Sequence, residues 1–160
     1  MRSNRFLSHA GRMASGFLPL MLILDMAPFS AVSMAQIGAP SSLEKTKSVA
    51  EAQHEIVGLL VQKKDYEKAA AEADKIFDMN WPDNQEPLLV KELGNLAELF
   101  LRSGQAPLGL KLIERNLKHF KKTSSQAALW KEMGYLHKKM NQVDDSLDCF
   151  KKARDLEEGR

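Results

Sequence analysis

A single cysteine, Cys149, stands in 160 residues. That excludes an internal disulfide and a cysteine-rich zinc site. Glycines number nine and form neither a Gly-x-Ser-x-Gly elbow nor a Gly-Lys-Ser/Thr phosphate loop, so the two commonest nucleophile and nucleotide signatures are missing. The four histidines, His9, His54, His119 and His137, show no His-x3-His or His-Glu-x-x-His spacing. There is no Asn-Gly or Asp-Gly hairpin signal and no alternating β-branched run, which argues against a sheet. Aromatics are 7% of the chain and net charge is +2, so nucleic acid is not the expected partner. No catalytic residue, no metal site and no cofactor is expected.

The small excess of positive charge belongs to the first 35 residues, where Arg2, Arg5 and Arg12 face Asp25 alone. The apolar run Phe17–Leu24 follows, shorter than the about 20 residues needed to cross a bilayer. After Pro28 come small residues ending at Ser33-Met34-Ala35. A basic start, a short apolar core and a small-x-small exit predict a secretory signal peptide over residues 1–35, cut before Gln36. The expected location is then outside the cytoplasm, the periplasm in a bacterium. A retained membrane anchor over residues 17–34 and a mitochondrial presequence are the alternatives, and the first would associate the chain with an envelope membrane through its leader. Residues 36–42 read as a flexible linker.

From Leu43 to Arg160 the pattern is helical. Breakers divide it into six helices near 43–62, 66–79, 86–102, 106–119, 125–139 and 143–157. In the last, Val143, Leu147, Phe150, Ala153 and Leu156 recur at three- and four-residue intervals. Ser124 or Ser125 is expected to cap the fifth helix, Asp144 and Asp145 the sixth, and Pro87 suits the first turn of the third.

Trp130, Met133-Gly134, His137, Asn141, Ser146, Phe150 and Ala153 are in the order of a tetratricopeptide repeat, which the chain resembles here over a helix-turn-helix unit of about 34 residues. Lys64-Asp65-Tyr66-Glu67-Lys68-Ala69 is similar to that family's turn into its second helix, with Ala73, Ile76 and Trp81-Pro82 following. A middle unit offers Leu93-Gly94, and Gly104 and Gly109 fit it only with a short insertion in Leu99–Ser103. The resemblance implies an all-α, right-handed superhelical stack of three hairpins, with units at about 50–83, 87–123 and 127–160. His137 and Cys149 then read as packing residues.

Function follows from the resemblance rather than from any motif. Such arrays hold a partner peptide or protein segment in a concave groove lined by the first helix of each pair. The resemblance assigns Lys91, Asn95 and Glu98 to the groove in the second unit and Lys131, Tyr135, Lys138 and Lys139 in the third; His54, Val61 and Gln62 are their counterparts in the first. Mostly basic and polar, this groove is expected to suit an acidic or carboxylate-bearing segment. Lys91 and Asn95 also resemble the opening of the carboxylate clamp of chaperone-binding members, which makes an organellar or cytosolic cochaperone the alternative to an exported, non-catalytic adaptor. The basic run Lys111, Arg115, Lys118, His119, Lys121 and Lys122 is a candidate docking spot for an acidic surface. The expected assembly is a monomer or an end-to-end dimer.

Overall fold

The helix starts and stops read from the sequence have identifiable physical causes in the computed structural model, which describes residues 41–160. Six α-helices fill that span: α1 (Ser42–Gln62), α2 (Tyr66–Phe77), α3 (Glu86–Arg102), α4 (Ala106–Asn116), α5 (Thr123–Lys139) and α6 (Val143–Glu158). No strand occurs among the described residues. The expected leader, its cleavage point and most of the linker lie outside them. Of the residues read as linker, Ser42 begins α1 and Ser41 caps it. The Ser41 hydroxyl accepts from the Glu44 amide at 3.2 Å, and the Glu44 carboxylate accepts from the Ser41 amide at 2.6 Å, a capping box that closes the helix start.

The helices pack as consecutive antiparallel pairs, α1 with α2, α3 with α4 and α5 with α6. Each pair is joined by the same turn. The amides of Asp65, Gln105 and Gln142 donate to the carbonyls of Leu60, Phe100 and His137 at 2.9, 2.8 and 2.9 Å. Those of Lys64, Gly104 and Asn141 donate to Val61, Leu101 and Lys138. This is a Schellman closure, and it requires a left-handed residue at its apex. Lys64, Gly104 and Asn141 supply it with φ of 62, 74 and 60°.

Lys64, Gly104 and Asn141 are therefore equivalent, and they fix which residues correspond between pairs. The insertion expected in Leu99–Ser103 is not there. Ala97, and not Gly94, corresponds to Gly134 and to Val57. Opposite them in the second helices stand Ala69, Gly109 and Ser146, all small and all buried. The Ser146 hydroxyl donates to the Gly134 carbonyl at 2.8 Å, and a Cβ on Gly109 would lie 2.8 Å from the Ala97 carbonyl oxygen. Small side chains there are what allow the two helices of a pair to touch.

Between pairs, α2 packs on α3 and α4, and α5 packs on both α3 and α4. Phe100 and Phe120 are the largest fully buried side chains, and each contributes about 2–3 kcal/mol by leaving water. Phe120 meets Phe77 with ring centroids 6.5 Å apart. Trp81 is half-buried, and its indole N–H donates to the Ile76 carbonyl at 2.6 Å, fixing the exit from α2.

Two expected caps are replaced. Neither Ser124 nor Ser125 caps α5; Lys122 occupies that position without a side-chain bond. Glu86, at the start of α3, does the work from the neighbouring pair. It is 4% exposed and accepts from the Lys121 amide (2.8 Å), the Lys122 amide (3.2 Å) and the Ser125 hydroxyl (2.9 Å). Burial pushes its carboxyl up, but these hydrogen bonds and the Lys122 charge outweigh it and hold the group below the ordinary carboxylate range. Asp144 and Asp145 lie in the first turn of α6 and complement its dipole, yet no side chain caps that helix.

Candidate functional site

The first helices α1, α3 and α5 each carry a polar row at helical spacing on a face that the core does not use. Counted from the equivalent turns, the rows are Glu51, Glu55, Gly58 and Gln62; Lys91, Asn95, Glu98 and Arg102; and Ala128, Glu132, Tyr135 and Lys139. The charged and amide side chains among them are exposed. Residues beside the rows meet between neighbouring first helices. His54 Nδ1 of α1 lies 2.5 Å from Glu92 Oε1 of α3. A Cβ on Gly94 would lie 3.9 Å from Glu132 Cδ of α5. Crowding by the surrounding chain, and then the Glu98 charge, hold the Glu132 carboxyl above its ordinary range.

The seven residues expected from the sequence divide between two faces. Lys91, Asn95 and Glu98 share the row on α3, and Tyr135 and Lys139 share the row on α5. Lys131 is turned toward its own pair, its Nζ donating to Glu157 Oε1 at 2.6 Å. Lys138 is exposed but one step around the helix. Glu98 is held by Arg102 at 2.8 Å, and Tyr135 stands edge-on to Phe150 with centroids 5.1 Å apart. The face is thus mixed rather than mostly basic, with Glu51, Glu55, Glu98 and Glu132 against Lys91, Arg102 and Lys139. A carboxylate held by Lys91 and Asn95 would have Glu98 one turn away and Glu132 opposite. The corrected correspondence pairs Lys91 with Ala128 and Asn95 with Glu132, so no second lysine or asparagine completes a clamp.

Between α1 and α3 the face deepens into a cavity of about 490 Å³. Its floor is apolar, made by Ala50, Ile76, Trp81, Leu88 and Leu89, and Glu51, Glu55 and Glu92 rim it with Lys47 and His54. Leu88 is 45% exposed, a large apolar side chain left at an opening. An apolar floor with a predominantly acidic rim accommodates an apolar side chain next to a cation. Sequence reading placed His54 on this face, gave Trp81 only as part of a repeat unit, and did not single out Leu88 or Glu92. The exposed leucine beside Pro87 was the available signal.

The polar residues near Asn141 do not gather into a centre. His137 Nδ1 is 2.8 Å from Gln142 Oε1 and 3.9 Å from Asp145 Oδ2. Cys149 is buried; burial first, then Asp145, Asp148 and Glu114, push its thiol up and away from the thiolate. Among the described residues no group of three or more histidine, cysteine or acidic side chains is placed to hold a metal ion.

The basic run is largely answered from within. Arg115 meets Asp74 at 2.9 Å and Lys121 meets Asp83 at 3.2 Å, while the buried His119 Nε2 lies 3.4 Å from Asp78 without a hydrogen bond. Asp74 also accepts from the buried Asn116 amide at 2.7 Å. These acids come from α2 and the segment after it, so the run joins two pairs instead of offering a free basic patch. No helix among the described residues is long and apolar enough to cross a membrane. No protein-family model, no curated protein and no solved structure matches the chain.

Proposed function

We propose that the three pairs form a right-handed superhelical stack of the tetratricopeptide kind, and that the protein is a non-catalytic adaptor. It holds an extended segment of a partner protein across α1, α3 and α5, with one apolar side chain of that segment in the cavity. The supports for the stack are the thrice-repeated turn and the small residues Ala69, Gly109 and Ser146 at equivalent, buried positions. The single observation that carries the binding role is the cavity of about 490 Å³, open on the one face whose polar side chains do little for folding. Its acidic rim selects a segment with a lysine or arginine beside the apolar anchor, and Lys91 and Lys139 receive acidic residues farther along.

Export remains part of this reading and rests on the leader alone. Sequencing the N-terminus of the protein from its native source should return Gln36; an intact Met1 contradicts export. The binding role is tested by affinity capture on wild-type and Leu88→Glu chains of equal helicity. The substitution puts a carboxylate into the apolar lining, so partners held by an apolar side chain there should be lost. Equal retention would refute the assignment of the cavity.

A further inference from the structure

Two of the acids on the rim of the cavity between α1 and α3 have no cation to hold. Glu51 and Glu55 stand one turn apart on α1, both exposed, and among the described residues neither forms an ion pair. Like charges at that spacing repel, so a cation between them is favoured twice, by attraction and by relief of repulsion. Glu92, the third acid, is already engaged by His54 Nδ1 at 2.5 Å. Lys47 lies one turn before Glu51, the weaker order for a helical ion pair, and pairs with neither acid. Carboxylates thus outnumber ammonium groups three to one around the opening.

The floor adds apolar surface and no free polar side-chain group. Trp81 contributes its ring, while its N–H is committed to the Ile76 carbonyl at 2.6 Å. At about 490 Å³ the cavity is within the about 300–1,000 Å³ of small-molecule sites, and a single side chain of a partner segment leaves part of it unfilled. We infer that the cavity is a site for a small organic ammonium ion carrying one apolar group, an arylalkyl amine being the simplest form. The apolar group lies on Trp81, Leu88 and Leu89, and the N–H groups donate to the Glu51 and Glu55 carboxylates at the rim. The same two charges repel an anion, and a neutral molecule of the same shape forgoes them. The ligand is free in solution, not part of a polypeptide. The inference rests on the cavity proposed above as the anchor site but not on the partner segment, so the two compete for one place and either can fail alone.

Phenethylamine, phenethyl alcohol and phenylpropionate, alike in shape and different in charge, test it on the full chain by NMR titration. The indole N–H of Trp81 reports on the floor, and that of Trp130, on α5 and outside the lining, is the internal control. The amine should shift the Trp81 signal alone and bind about fivefold more tightly than the alcohol, the gain expected of two exposed ion pairs. Phenylpropionate should not bind. In a Glu51→Gln/Glu55→Gln chain the amine should fall to the affinity of the alcohol; both sites are exposed, and circular dichroism checks that the helices are kept. Added salt should narrow the same difference in wild type. Equal binding of amine and alcohol, a preference that survives the double substitution, a shift at Trp130 instead, or no binding by the amine would each overturn the inference. Amine binding together with equal capture of proteins by wild-type and Leu88→Glu chains would refute the segment and keep the ligand. The reverse pattern would refute the ligand alone.

Discussion

Gly109 lies so close to Ala97 that a Cβ on the glycine would stand 2.8 Å from the alanine's carbonyl oxygen. Backbone cannot rotate aside as a side-chain tip can. Gly109→Ala should therefore destabilise by about 1–3 kcal/mol, although alanine is the better helix former. Gly134 is different, because its added Cβ would meet the Phe150 ring at 3.0–3.1 Å. That ring is half-buried and has room to shift. Gly134→Ala should cost less, and the order of the two urea midpoints checks it.

Glu86 links two helix pairs through one buried carboxylate. Glu86→Gln puts an N–H where an acceptor is needed and should cost about 2 kcal/mol at neutral pH. Its folded-state pKa is lowered, so its contribution is fully present above the unfolded carboxylate value of about 4.3. It is lost as pH falls through the folded value. The stability gap between wild type and Glu86→Gln should accordingly narrow in acid.

Glu132 has the opposite sign. Crowding first, then Glu98, raise its folded pKa, so its ionised form is a penalty above that value, relieved as pH falls through it. Glu132→Gln should stabilise by about 0.3 kcal/mol at neutral pH, the scale of a like-charge contact at a surface. The gain should shrink in a Glu98→Gln background and disappear in acid.

The three left-handed turn residues differ in how well they suit the conformation. Lys64→Gly should stabilise by about 1 kcal/mol, and Gly104→Ala should destabilise by a similar amount. Asn141→Gly should do least, since asparagine tolerates φ of 60° through its short polar side chain. Thermal melts of the three variants rank them.

The all-helical class and the ends of α1, α3, α5 and α6 were legible because breakers and apolar spacing are local signals. Gly104 and Asn141 entered through the resemblance to the repeat, whose turn positions they match. The register of the middle pair was not. Leu93-Gly94 imitates the pair signature, whereas the contact that sets register is Gly109 on Ala97, which depends on how two helices approach. Glu86 could not be recognised as the cap of α5, because its partners lie in another pair. Asp74, Asp78 and Asp83, which answer the basic run, are likewise distant in sequence. The candidate face was legible at Lys91, Asn95, Glu98, Tyr135 and Lys139. Its cavity was not, since Ile76, Trp81 and Leu88 come from three different elements.

The central claim is that α1, α3 and α5 present the binding face. It is tested most directly by a photo-crosslinking side chain placed in turn at Leu88, Asn95 and Tyr135, with Glu114 and Lys118, exposed on and just after α4, as controls. Exposed to native extract and light, the first three should trap the same partner at adjacent points of one segment, and the two controls should not. Equal trapping from Glu114 and Lys118 would contradict the account.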